Sequence, residues 1–165
     1  MTDLNERVVQ EWKDSTTGRE RVKEVLTETT EPATAGEIAE RAFVSEPTAR
    51  KYLEELVGED VGETTQAGRT VHYKRNQGRF VDRRIEELRT NHSLQELIDG
   101  IRDMKEELAT LREKYGVESP EDLAIELDPG DEGWGDIGRW RATRQNLALT
   151  KAALQVDEAH RLTEA

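Results

Sequence analysis

The sequence predicts a mainly α chain, with three short helices and a β-hairpin near the N-terminus and long helices after them. Three observations predict it. Hydroxyl residues followed three positions later by glutamate recur ahead of apolar-periodic stretches, at Thr17/Glu20, Thr34/Glu37 and Ser93/Glu96, the pattern by which a helix satisfies its first free amides. Two short runs rich in β-branched and aromatic residues flank a glycine turn between Val61 and Arg75, as a hairpin does. Apolar residues from Leu94 to Tyr115 alternate in steps of three and four, a heptad repeat. With 34% hydrophobic and 36% charged residues, the chain can bury one small core rather than a large globule.

Each element follows in order. Residues 1–16 form an N-terminal helical extension, and the small domain spans 17–76. Its first helix carries Val22, Val25 and Leu26 and ends near Thr29, ahead of Pro32. The second opens at Thr34 and buries Ile38, Ala39 and Ala42. A short connection, Ala42 to Ser45, leads into the third. There Ser45 is the expected N-cap, Pro47 sits in the first turn, and Ala49, Leu53 and Leu56 face inward, ending at Gly58. The runs Val61–Gln66 and Thr70–Arg75 then form the hairpin around Ala67-Gly68-Arg69. A connecting helix over 77–92 carries Phe80, Val81, Ile85 and Leu88. Residues 93–116 hold the heptad, and 117–165 hold a short helix, an acidic glycine-rich loop and a long last helix from about Asp136 to Leu162.

Three short helices followed by a hairpin is the order of a winged helix-turn-helix. The stretch Ala39-Glu40-Arg41-Ala42-Phe43-Val44-Ser45-Glu46-Pro47-Thr48-Ala49-Arg50-Lys51-Tyr52-Leu53-Glu54-Glu55-Leu56 resembles the helix-turn-helix of archaeal winged-helix transcriptional regulators, in the broad grouping of arsenic-repressor-like proteins. The resemblance implies a recognition helix in the major groove of double-stranded DNA, with the hairpin as a wing on backbone or minor groove. Ser45, Glu46, Pro47, Thr48, Arg50 and Lys51 then occupy the base-reading region. Arg50 suits a forked contact to guanine and Thr48 a thymine methyl, while Lys51 and Tyr52 suit phosphate. Arg69 at the wing tip, with His72, Lys74 and Arg75 on the returning strand, suits phosphate or minor groove. Arg79, Arg83 and Arg84 either extend this track or pair with Glu86 and Glu87 along the helix.

The heptad residues Leu94, Leu97, Ile101, Met104, Leu108, Leu111 and Tyr115 are expected to form the arm of a homodimer, about 33 Å long at 1.5 Å per residue. A parallel pair would set Glu107 against Arg112 of the other chain. The alternative is packing against the last helix within one chain. Trp134 and Trp140 either line an effector pocket or pack helices together.

The net charge of −12 argues against nucleic acid until its distribution is read. From Thr64 to Arg84 six bases stand against one acid, and from Gly116 to Asp136 eight acids stand against no base. The basic part is where a nucleic-acid surface must lie. Seventeen arginines, seven lysines and 25 glutamates resemble the composition of halophilic archaeal proteins, with an ordinary acidic protein as the alternative.

The chain has no cysteine, and His72, His92 and His160 are scattered, so no metal and no cofactor are expected; this departs from metal-sensing members of the grouping. No apolar leader or membrane-length run is present, and a cytoplasmic protein is expected. No nucleophile–base pattern, phosphate loop or dinucleotide fingerprint occurs, so an enzyme is not expected. The sequence thus points to a homodimeric DNA-binding regulator. A winged-helix adaptor in transcription and an RNA-binding winged helix are the alternatives.

Overall fold

The computed structural model describes residues 3–165. It is mainly helical, with one three-stranded antiparallel sheet. In chain order the elements are helices α1 (Leu4–Ser15) and α2 (Gly18–Glu28), strand β1 (Ala33–Thr34), helices α3 (Ala35–Ala42) and α4 (Glu46–Gly58), and strands β2 (Gly62–Ala67) and β3 (Thr70–Arg75). Helices α5 (Gln77–Asn91), α6 (Leu94–Tyr115), α7 (Pro120–Glu126) and α8 (Gly133–Glu164) complete the chain. Two compact units result, Met1–Phe80 and Val81–Ala165.

In the first unit all the predicted helix starts are made by side chains. The Thr17 hydroxyl accepts the Glu20 amide at 3.1 Å while Glu20 accepts the Thr17 amide at 2.6 Å. Thr34 and Glu37 repeat the arrangement at α3, and Ser45 caps α4 through the Thr48 amide at 3.3 Å. Each such cap contributes about 1 kcal/mol. Between α3 and α4 the chain turns at Phe43, which holds φ at 55°, a left-handed conformation that costs a non-glycine residue roughly 1–2 kcal/mol. The Trp12 and Phe43 rings pack in a T-shaped arrangement, with centroids 6.0 Å apart. The core comprises Val22 and Leu26 of α2, Ile38 and Ala42 of α3, Ala49, Leu53 and Leu56 of α4, and Tyr73 of β3.

The strand order is β1-β3-β2. Gly68 supplies φ of 65° at the first of the two turn residues, the position that a type II′ hairpin turn reserves for glycine. The sheet has a strand that the sequence reading lacks. Ala33 and Thr34 lie antiparallel to Tyr73 and His72, and two residues are too few to show an alternation. Gly62 starts β2 because a Cβ there would stand 2.7 Å from Leu26 Cδ2, inside a packed core.

The second unit holds its own core of Ile101, Leu108, Leu111, Leu123, Ile137, Trp140 and Leu147. Ser93 and Glu96 box the start of α6, and Gly116, with φ of 66°, ends it. Helices α6 and α8 run antiparallel, since Glu107 pairs with Arg139 while Lys114 pairs with Asp136 at 2.8 Å. The expected between-chain seam is corrected here. Leu97, Ile101, Leu108 and Leu111 are buried within the chain, and Met104 and Tyr115 pack on the same core. Leu94 is half-buried. Glu107, expected opposite Arg112 of another chain, is taken by Arg139 and by the Thr143 hydroxyl at 3.3 Å. The reason is that α8, 32 residues long, offers a complementary stripe tethered to the same chain, at a far higher effective concentration than a second copy.

Trp134 and Trp140 do not share a pocket. Trp140 is 1% exposed in the core, whereas Trp134 is 44% exposed and its indole N–H donates to the Asp128 carbonyl at 2.9 Å. Among the described residues no helix is long and apolar enough to cross a membrane.

Candidate nucleic-acid interface

The first two turns of α4 stand out from the first unit because of how the helix is seated. Ala49, Leu53 and Leu56 are fully buried, which turns Glu46, Pro47, Arg50, Lys51 and Glu54 outward. The positions four residues apart, Glu46, Arg50 and Glu54, share one side. They form one wall of a groove of about 510 Å³, whose other walls are Arg69, Thr70 and Val71 of the hairpin and Thr34 and Gly36 at the start of α3, with Tyr73 also lining it.

On this groove the structure brings together Glu46, Arg50 and Arg69 of the predicted residues. Arg50 is 56% exposed on its side chain, and its Nη2 donates to Glu46 Oε1 at 2.7 Å. Ser45 is the cap, and its hydroxyl also donates to the Thr48 hydroxyl oxygen at 2.8 Å, so Thr48 is half-buried with its hydroxyl engaged. Pro47 and Lys51 are exposed, and Lys51 Nζ lies 5.7 Å from the Tyr52 ring centroid.

Four more of the predicted contact residues, Tyr52, Arg75, His72 and Lys74, do not line the groove. Tyr52 is half-buried and packs against the core, because it lies one turn after Thr48 on the flank of the buried stripe. Arg75 is committed inside the unit. Its Nε donates to Gln77 Oε1 at 2.7 Å, its Nη1 to the Thr27 carbonyl at 3.2 Å, and its guanidinium stacks 3.8 Å from the Phe80 ring centroid. Burial pushes its pKa below the ordinary arginine value. His72 and Lys74 alternate with Tyr73 along β3, so they face away from the groove. Lys74 pairs with Glu63 at 3.3 Å. His72 is half-buried, with Nδ1 enclosed and without a partner among the described residues.

Sequence reasoning missed Thr34, Gly36, Glu54, Val71 and Tyr73 as groove residues. Tyr73 was legible as a strand residue, but its face depended on the register with β2. Its burial raises the phenol pKa, and Glu54 adds to the rise. The four charged residues of the groove, Glu46, Arg50, Glu54 and Arg69, sum to zero, so this surface holds no net field for phosphate. Of the arginines beyond it, Arg79 lies 3.8 Å from Asp60 and Arg84 pairs with Glu87 at 2.8 Å. Among the described residues no group of three or more potential ligands is arranged to hold a metal ion.

The outward side of α4 and the hairpin thus share one groove on the first unit. The chain belongs to a family of unknown function, DUF7342, which matches residues 16–158. No curated protein and no solved structure matches it.

Proposed function

We propose that the first unit is a winged helix-turn-helix and that the protein is a sequence-specific DNA-binding regulator acting as a homodimer. In this reading α3 and α4 are the helix-turn-helix, α4 enters the major groove, and β2–β3 is the wing. The carrying observation is the seating of α4, capped by Ser45 after a tight left-handed turn, with Arg50 and Lys51 outward and the hairpin's Arg69 on the same groove as Arg50. Arg50 supplies the forked donor that guanine accepts, once released from Glu46, and Glu46 is then free to accept from a cytosine amino group. The resemblance to archaeal winged-helix regulators supports the same assignment.

The test is direct. Sequences selected from a random duplex library by the unaltered protein are the expected outcome, and Arg50→Ala with Lys51→Ala should remove that selection. A forked contact is worth roughly 1–3 kcal/mol, so Arg50→Ala alone should weaken the selected site about tenfold to a hundredfold. No enrichment of any sequence by the folded protein sinks the reading. One observation favours an adaptor instead: the carboxylates of Glu46 and Glu54 flank Arg50, a mixed-charge surface that suits a protein partner as well as a base edge.

A further inference from the structure

The groove between α4 and the hairpin carries two carboxylates that attraction to a polyanion does not call for. Glu46, Arg50 and Glu54 follow one another at steps of four along the outward side of α4, which sets the one arginine of this helix between two acids. Glu46 is held from two sides. Its Oε1 accepts from Arg50 Nη2 at 2.7 Å. Its Oε2 reaches toward the start of α3, where a Cβ on Gly36 would stand 3.6 Å from it. An anion is favoured near the first turn of a helix, and Glu46 stands in the first turn of α4 as well. Glu54, at the other end of the row, adds to the rise that burial imposes on the Tyr73 phenol.

These carboxylates act against every duplex, but not against all duplexes equally. The Arg50–Glu46 pair is exposed on both partners, 56% and 54%, so the pair alone holds the guanidinium weakly. The larger effect is the approach of like charges. Phosphates drawn to Arg50 and Arg69 arrive against Glu46 and Glu54, and such juxtaposition is how an interface suppresses a wrong partner. Bases that engage both members of the pair, a guanine edge for Arg50 and a cytosine amino group for Glu46, offset the repulsion. Bases that do not leave it in place.

We infer that Glu46 and Glu54 are selectivity residues, which repel backbone phosphate from α4 wherever the bases do not engage them. This deepens the DNA-binding reading, on which it rests, and gives the mixed charge of the groove a purpose within it. Discrimination between partners uses a repulsive element as well as an attractive one. Neutralising Glu46 turns the sum over Arg50, Arg69, Glu46 and Glu54 from zero to +1. The released Arg50 then serves any phosphate.

The test compares the affinity of the full chain for a selected duplex and for a random-sequence duplex over one potassium chloride series. With Glu46→Gln the random duplex should bind about tenfold tighter. Its salt slope should steepen by about one, the share of one added phosphate contact. The selected duplex should change less, because a glutamine carbonyl still accepts from an amino group, so the ratio of the two affinities falls. Glu54→Gln should lower the ratio in the same direction, and it decides if Glu46→Gln fails to fold. Glu40, an exposed acid of α3 outside the groove, is the control: Glu40→Gln removes the same charge and should leave the ratio unchanged. A ratio unmoved by both groove variants, or lowered equally by Glu40→Gln, overturns the inference and leaves sequence selection by Arg50 standing. An unaltered chain that selects no duplex removes the regulator reading, and the inference with it.

Discussion

Arg21 joins two helix ends within the first unit. It is buried, yet no carboxylate accompanies it. Its Nε donates to the Ala42 carbonyl at 2.8 Å, and its Nη1 donates to the carbonyls of Thr16 at 2.8 Å and Lys13 at 3.2 Å. These acceptors lie at the C-terminal ends of α1 and α3, where unsatisfied carbonyls and the helix dipole both favour a cation. The guanidinium therefore ties α1 to the turn between α3 and α4. Trp12 reinforces the tie through its indole N–H to Glu24 at 2.9 Å. Replacing Arg21 by methionine keeps the apolar stem and leaves those carbonyls without a donor. The expected loss is about 1–3 kcal/mol, read as a lower denaturant midpoint with an unchanged slope. A midpoint equal to that of the unaltered chain refutes the assignment.

At the scale of elements, α7 is held to α8 by one carboxylate. Glu121 accepts both Nη groups of Arg144, at 2.9 and 2.7 Å, and lies 3.7 Å from Arg141. The hydrogen bonds from Arg144 are the main reason that the Glu121 carboxyl sits at about 2 instead of 4.5. A carboxyl whose pKa is depressed on folding stabilises the fold above its unfolded value and loses that contribution as pH falls through the folded one. The tie is thus complete above about pH 4.5 and lost between there and about pH 2. In thermal unfolding from pH 7 to pH 2, the melting difference between the unaltered chain and Glu121→Gln should close over that window. A difference that stays constant through it shows that the pair contributes nothing. The carboxylate is solvent-exposed, so the effect is small and screened by salt. Leu123 buries into the core independently of it.

For the whole molecule, the proposed function requires an acidic protein to meet a polyanion. The first unit carries 12 bases and 16 acids and the second 12 and 20, so neither is basic. On the proposed interface Arg50, Lys51 and Arg69 are the outward cations, while Arg75 and Lys74 are engaged elsewhere. With on the order of three phosphate neutralisations available to each copy, log affinity should fall with log salt at a slope of about −3 per copy. That is shallow for a DNA-binding protein. Fluorescence anisotropy on a selected duplex over a potassium chloride series measures it, and a slope of roughly −6 or steeper per copy would mean that phosphate contacts come from surfaces other than α4 and the hairpin. A shallow slope suits work in concentrated salt, where screening shortens electrostatic reach to a few ångströms.

The helices and the hairpin of this protein were legible in the sequence, because their signals are local, whereas the two-residue strand β1 was not. Capping boxes at Thr17, Thr34 and Ser93, the Ser45 cap, the glycine stops and the hairpin turn each act over a few residues, and each forms where those residues stand. What only the tertiary structure decided is which partner each face meets. The heptad of α6 has one apolar stripe and two possible covers, and periodicity does not distinguish a second chain from α8 of the same chain. The basic residues of β3 could not be divided between faces until the register with β2 placed Tyr73 in the core. Arg75 read as a free cation because nothing near it in sequence announces Thr27, 48 residues away. Local propensity is written residue by residue. The occupancy of a surface depends on chain closure and packing, which bring together residues that share no signal.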